Sequence, residues 1–122
     1  MFGPPSPSSS SSSALRPFGS TTIDSFDFDF EAPTQHIPVF AFRLRTLMDH
    51  TNTHPRKPYL LTAAPQCPYP DHAMDSLLQS VPLDFISVQF YNNNYCSSSA
   101  FIPSTTPTQN TGSTFNFHTW DA

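Results

Sequence analysis

The stretch Asp24-Ser25-Phe26-Asp27-Phe28-Asp29-Phe30-Glu31 alternates apolar and acidic side chains without a break from Phe26 onward. A period of two is the period of a β-strand, so Phe26, Phe28 and Phe30 fall on one face and Asp27, Asp29 and Glu31 on the other. Same-face neighbours on a strand stand roughly 6.5–7 Å apart. Three carboxylates at that spacing repel one another, and folding alone supplies no reason to align them. A strand that needed no more than a solvated face would mix Thr, Lys and Ser into it.

Three readings of this row differ in chemistry. An exposed edge strand can carry acidic residues that discourage pairing with another chain. A divalent-cation loop also alternates acids, but it needs a Gly at its sixth position and polar residues between the ligands. Here the intervening residues are Phe, and no suitable Gly follows. In a general-acid site, neighbouring carboxylates share protons, and the last of the row donates one to the reacting bond. The strict acid identity favours this third reading.

Working outward, composition sets bounds. The chain has 122 residues, enough for one modest domain. Its five Lys and Arg are scattered and its net charge is −4, which argues against a nucleic-acid partner. No apolar run is long enough to span a membrane, and no basic region with an apolar core follows Met1 as a secretory signal would. The five His are dispersed, with no pair at ligand spacing beside a third partner, so neither a metal nor a cofactor is expected. Two Cys allow one disulfide at most.

Residues 1–16 are low in complexity and rich in Ser and Pro, with an unbroken run from Ser8 to Ser13. Such composition has too little apolar surface to bury, so the folded domain is expected over residues 17–122. The first strand is expected from Ile23 to Phe30, ended by Pro33. Phe40, Leu44, Leu47 and Met48 recur at helical spacing, predicting a helix over residues 37–50 with Pro38 in its first turn. Tyr59 to Ala64 reads as a second strand closed by Pro65. Asp71 is placed to cap a short helix over 72–80, with Met74, Leu77 and Leu78 on one side. Phe85 to Tyr91 alternates again, with Ser87, Gln89 and Tyr91 on its polar face. Phe115 to Ala122 begins a further helix.

Strand, helix, strand, helix, strand and a helix start imply parallel strands joined by crossover helices. In a (β/α) barrel the polar strand faces point inward and reactive groups gather at the C-terminal mouth, where Glu31 and Tyr91 would stand. The Phe face of the first strand would lie outward, beneath the helices.

The acidic stretch resembles the strand-four signature of glycoside hydrolase family 18, Asp-Gly-x-Asp-x-Asp-x-Glu, with Ser25 where the family usually has Gly. Two further blocks are similar to the family's class III (plant and fungal) chitinases and occur in the same order. They are Tyr59-Leu60-Leu61-Thr62-Ala63-Ala64-Pro65-Gln66-Cys67-Pro68-Tyr69-Pro70-Asp71, like strand five, and Val88-Gln89-Phe90-Tyr91-Asn92-Asn93, like strand six. The resemblance implies strands four to six of an incomplete TIM (β/α)8 barrel, the rest of the barrel lying outside this sequence. It implies hydrolysis of β-1,4-linked N-acetylglucosamine polymers, with chitin or its oligomers as partner, outside the cell. Glu31 would be the general acid, Asp29 the residue that orients the substrate's N-acetyl group, Asp27 its proton-sharing neighbour and Tyr91 a hydrogen bond to the acetamide. Gln89 and Asn92 would contact the sugar, although Asn92 to Asn94 reads first as a turn. The resemblance also implies a Cys67–Cys96 disulfide, each cysteine following one of two adjacent strands. A truncated or lectin-like chitin-binding relic is the alternative to the enzyme.

Overall fold

The computed structural model describes residues 16–51, 58–103 and 114–121. The expected low-complexity segment therefore lies outside the described residues, except for Arg16. Three strands and three α-helices follow in chain order, β1 (Ser25–Phe28), α1 (Ile37–Thr51), β2 (Leu60–Ala63), α2 (Asp75–Ser80), β3 (Phe85–Ile86) and α3 (Phe117–Trp120), with one turn of 3-10 helix at Ser98–Ala100 before α3. The strands form one parallel sheet in the order β1-β2-β3, so each connection crosses over the sheet through a helix. This is an α/β arrangement with consecutive strands side by side.

The sheet register explains how the alternating patterns are used. Asp27 pairs with Thr62 and Phe28 with Ala63, while Thr62 pairs with Phe85 and Ala63 with Ile86. Partners in a parallel ladder share a face. One face therefore carries Asp27, Thr62 and Phe85, and the other carries Phe28, Ala63 and Ile86. The second face holds the core: Phe28, Leu61 and Ala63 are buried together with Ala41 and Met48 of α1 and Met74, Leu77 and Val81 around α2.

The apolar side of α1 is turned relative to the expectation. Phe40 and Leu47 are 58% and 48% exposed, whereas Ala41 and Met48 are buried and Ile37 and Leu44 partly so. Ile37, Ala41, Leu44 and Met48 form a stripe at helical spacing. Ala41 has no bulk to hold the helix off the sheet, so the face containing it docks closest. Phe40 lies at the rim and meets the ring of Phe28 edge-on, with centroids 6.3 Å apart. Arg45 fastens α1 to the start of β3: its guanidinium bonds Asp49 on its own helix and Asp84 at 2.8 Å. Asp84 in turn accepts the backbone N–H of Leu61 at 2.7 Å.

All three strands are shorter than the alternation suggested, and local chemistry ends two of the ladders. Between β1 and β2, the Ala64 N–H still reaches the Phe28 carbonyl at 2.8 Å. In the same register the next rungs would join Phe30 N–H to the Ala64 carbonyl and Gln66 N–H to the Phe30 carbonyl. Both groups on the β2 side are taken by side chains instead. The Ala64 carbonyl accepts from Gln89 Nε2 at 2.9 Å, and the Gln66 N–H donates to Asp71 Oδ2 at 2.9 Å. Between β2 and β3, Ser87 N–H bonds Ala63 and Gln89 N–H bonds Pro65, and Gln66 bridges Gln89 in unchanged register. Pro65 has no N–H to return, so the regular strand stops at Ile86. The α2 helix starts at Asp75 rather than residue 72, because Asp71 Oδ1 first holds a turn by accepting the N–H groups of Ala73 and Met74.

Candidate active site

The site lies just past the C-terminal ends of the strands. With β1 ending at Phe28, Asp29 is the first residue beyond the paired strand, and Glu31 stands further out in a bend. Tyr91 likewise follows the last bridge at Gln89 rather than ending a strand. Leaving the ladder frees these residues from sheet pairing while the neighbouring strands still fix their origin.

The structure brings Asp29 and Gln89 together. Gln89 is 5% exposed, and its amide nitrogen donates to Asp29 Oδ1 at 2.8 Å as well as to the Ala64 carbonyl. Both amide protons of Gln89 are thus used inside the protein. Gln89 reaches Asp29 across the end of β2, from the segment that continues β3 to the residue just past β1. Asp27 lies one same-face step earlier and accepts the hydroxyl of Thr62, its register partner. Among the described residues, Asp27 takes its hydrogen bond from β2 and Asp29 from the segment after β3, neither from the other Asp.

Glu31 and Tyr91 remain open. Glu31 is exposed and Tyr91 is 57% exposed, and neither side chain makes a hydrogen bond among the described residues. Asn92 has φ = 58°, the left-handed conformation that Asn tolerates in turns, and it is exposed. The turn after Tyr91 is closed by Ser97, whose hydroxyl bonds both the N–H and the carbonyl of Asn93. The adjacent residue, Cys96, is joined to Cys67 in a disulfide with Cα atoms 5.8 Å apart. This bond links the segment after β2 to the segment after Tyr91. The Cys67 carbonyl also receives Asn116 Nδ2 at 2.7 Å and Trp120 Nε1 at 3.0 Å, which docks α3 onto the same end of the sheet. Trp120 packs edge-on against Tyr69, with centroids 5.0 Å apart.

Thr62 and Asp71 were not singled out as site residues from the sequence. Thr62 is a lone polar residue in the run Leu60-Leu61-Thr62-Ala63, and that interruption was its signal. Its partner, however, follows from the register between strands thirty-odd positions apart. Among the described residues, no group of three or more His, Cys, Asp and Glu stands where it could hold a metal ion, and no helix is long and apolar enough to cross a membrane.

Comparison with known proteins agrees with this geometry. The family model described as "Glycosyl hydrolases family 18" matches residues 8–121. Endochitinase 33 of Trichoderma harzianum is 46% identical over 121 residues, covering 99% of this chain and 34% of the relative. A class III chitinase of Arthroderma benhamiae is 44% identical, covering 98% of this chain and 34% of the relative. The chain therefore spans about a third of the length of these relatives. Among solved structures, a xylanase and alpha-amylase inhibitor protein from Scadoxus multiflorus superposes with a TM-score of 0.64 at 37% identity, covering 82% of this chain and 34% of that one. A chitinase from Ipomoea carnea gives a TM-score of 0.59 at 32% identity, covering 69% and 30%. The three parallel strands with their crossover helices are an incomplete TIM barrel, and the chain belongs to glycosyl hydrolase family 18.

Proposed function

We propose that residues 17–122 are part of a chitinase catalytic domain, supplying its acid to hydrolyse β-1,4-linked N-acetylglucosamine polymers once the remaining strands complete the barrel. The observation that carries this reading is Asp29 held by the buried Gln89, with Glu31 two residues beyond it and open to a ligand. In this mechanism Glu31 gives its proton to the glycosidic oxygen as the bond to the anomeric carbon breaks. The acetamide oxygen of the same sugar attacks that carbon, and an oxazolinium ion forms. Asp29 accepts the acetamide N–H and fixes the attacking geometry, while the Tyr91 phenol donates to the acetamide oxygen. Water then opens the ring, Glu31 takes the water's proton, and the configuration is retained. Asp27 supports Asp29 from beneath. Gln89 serves this scheme by orienting Asp29, since its amide protons are already committed. Asn92 lies on the exposed turn beside Tyr91, where it can border the sugar. Chitin is an extracellular polymer, so the protein acts outside the cell.

A second reading, sugar binding without hydrolysis, is favoured by the likeness to inhibitor proteins. One of these, solved in complex with trehalose, is 34% identical and superposes with a TM-score of 0.62. The two readings separate in a chimeric barrel in which residues 8–121 replace the matched segment of the Trichoderma endochitinase. Turnover of chitin oligomers that falls by roughly 10³-fold or more in Glu31→Gln supports the enzyme. Oligomer binding with no turnover in the unmutated chimera supports the binding reading, and near-normal turnover in Glu31→Gln overturns the general-acid role.

A further inference from the structure

We propose that Ser97 is a positioning residue for Tyr91, its hydroxyl holding the turn that aims the phenol at the substrate. The inference rests on the hydrolytic reading above and adds to it a role for a residue outside the acidic stretch. Tyr91 is 57% exposed, and its side chain makes no hydrogen bond among the described residues. With no side chain or backbone group to steer the phenol, its direction is set by the backbone that carries it. That backbone is held on both sides by consecutive residues further along the chain. Before Tyr91, the Phe90 carbonyl accepts the Ser98 N–H at 2.9 Å. After Asn92, the Ser97 hydroxyl accepts the Asn93 N–H at 3.0 Å and donates to the Asn93 carbonyl. Tyr91 and Asn92 are the two residues between these clamps. Cys96, immediately before Ser97, is itself anchored to Cys67 by the disulfide.

The Ser97 hydroxyl is committed to this turn. Ser97 stands just before the 3-10 turn Ser98–Ala100, where a serine commonly bonds forward to a free N–H of the following turn, and it makes no such bond. Ser97 is 3% exposed, so its hydroxyl needs protein partners, and both are groups of Asn93. The two bonds differ in consequence. The Asn93 carbonyl also accepts the backbone N–H groups of Cys96 at 3.2 Å and Ser97 at 2.9 Å, so it stays paired without the hydroxyl. The Asn93 N–H belongs to the peptide that follows Asn92, whose φ of 58° is left-handed. A residue other than Gly keeps that sparsely populated conformation only where its surroundings hold it. Removing the hydroxyl frees the Asn92–Asn93 peptide to rotate and Asn92 to relax toward negative φ, and the chain at Tyr91 shifts with them.

The test uses the chimeric barrel. Ser97→Ala removes the hydroxyl and should lower kcat on chitin oligomers about ten- to a hundredfold with KM within about threefold, because misplacement of a reacting group is felt in the transition state. Ser97→Thr keeps the hydroxyl on an extended backbone (φ −67°, ψ 160°) that suits a β-branched residue, and should stay within about threefold of the parent kcat. A double-mutant cycle separates positioning from a merely structural role. In a Tyr91→Phe background there is no phenol left to aim, so Ser97→Ala should there cost less than about threefold. A Ser97→Ala enzyme as fast as the parent, a Ser97→Thr enzyme as slow as Ser97→Ala, or an equal loss with and without the phenol overturns the inference and leaves the hydrolytic reading standing. A parent chimera with no turnover overturns that reading and this inference with it.

Discussion

Replacing Asp71 should detach the end of β2 from α2 and loosen the whole C-terminal end of the sheet. Asp71 is 2% exposed, and its carboxylate accepts three backbone N–H groups: Gln66 at 2.9 Å, Ala73 at 2.8 Å and Met74 at 2.6 Å. It makes no ion pair among the described residues, so these amides are what compensate its burial. Each hydrogen bond to a charged group contributes about 1.5–3 kcal/mol, and a donor stranded in the interior costs about 1–3 kcal/mol. Three bonds would sum to more than the net effect. Removing the carboxylate also removes its own desolvation penalty of several kcal/mol, and water can reach part of the space left behind. A loss of about 3 kcal/mol for Asp71→Ala follows from that balance. Asp71→Asn is the sharper probe. Its oxygen can still serve Ala73 and Met74, but its NH₂ then faces the Gln66 N–H, donor against donor, so about 1.5–3 kcal/mol is lost from that bond alone. Urea denaturation of the chimeric barrel and its two variants gives these differences from the midpoints, provided the slope is unchanged. The Gln66 amide should also lose hydrogen-exchange protection in Asp71→Asn before the Ala73 and Met74 amides do. An Asp71→Asn barrel within about 0.5 kcal/mol of the parent, with Gln66 still protected, would refute this account of how the ladder ends.

Two further outcomes concern the links between elements. The Leu61 N–H holds the Asp84 carboxyl below its ordinary range, against a smaller opposing effect of burial, and Arg45 lowers it further. A depressed carboxyl contributes stability that is complete above its unfolded value and is lost as pH falls through the lowered folded value. Asp84→Asn should therefore cost about 1 kcal/mol near neutrality, the pair with Arg45 being part-exposed, and the gap from the parent should close as pH falls below about 4. Urea midpoints followed against pH measure this, and a gap that widens in acid contradicts it. Cys67→Ser with Cys96→Ser opens a link spanning 29 positions in sequence. In the chain-entropy view the loss is about 3–4 kcal/mol. Thermal unfolding of the double variant under oxidising conditions should match that of the reduced parent.

The order of elements was legible in the sequence because each rests on local periodicity. The Phe–acid alternation, the apolar spacing of 37–50 and the repeated β-helix-β order require no knowledge of partners. Acid identity and spacing in Asp27, Asp29 and Glu31 likewise marked where to look for chemistry. The rotation of α1 was not legible, because Phe40 and Ala41 are both apolar and the choice between them is made by how near the helix can approach the sheet. The strand ends were not legible for a related reason. Alternation continues through Phe30 and through Tyr91, but regular pairing stops where Asp71 and Gln89 occupy backbone groups just past β2 and where Pro65 has no N–H to offer. Gln89 stands 25 positions from the Ala64 carbonyl it takes, and even Asp71, five positions from Gln66, competes only once the intervening loop has folded back. The division of labour between Thr62 and Gln89 is of the same kind. A sequence states which residues carry hydroxyls, amides and carboxylates, whereas a hydrogen bond across a sheet depends on a register that is set when the strands assemble.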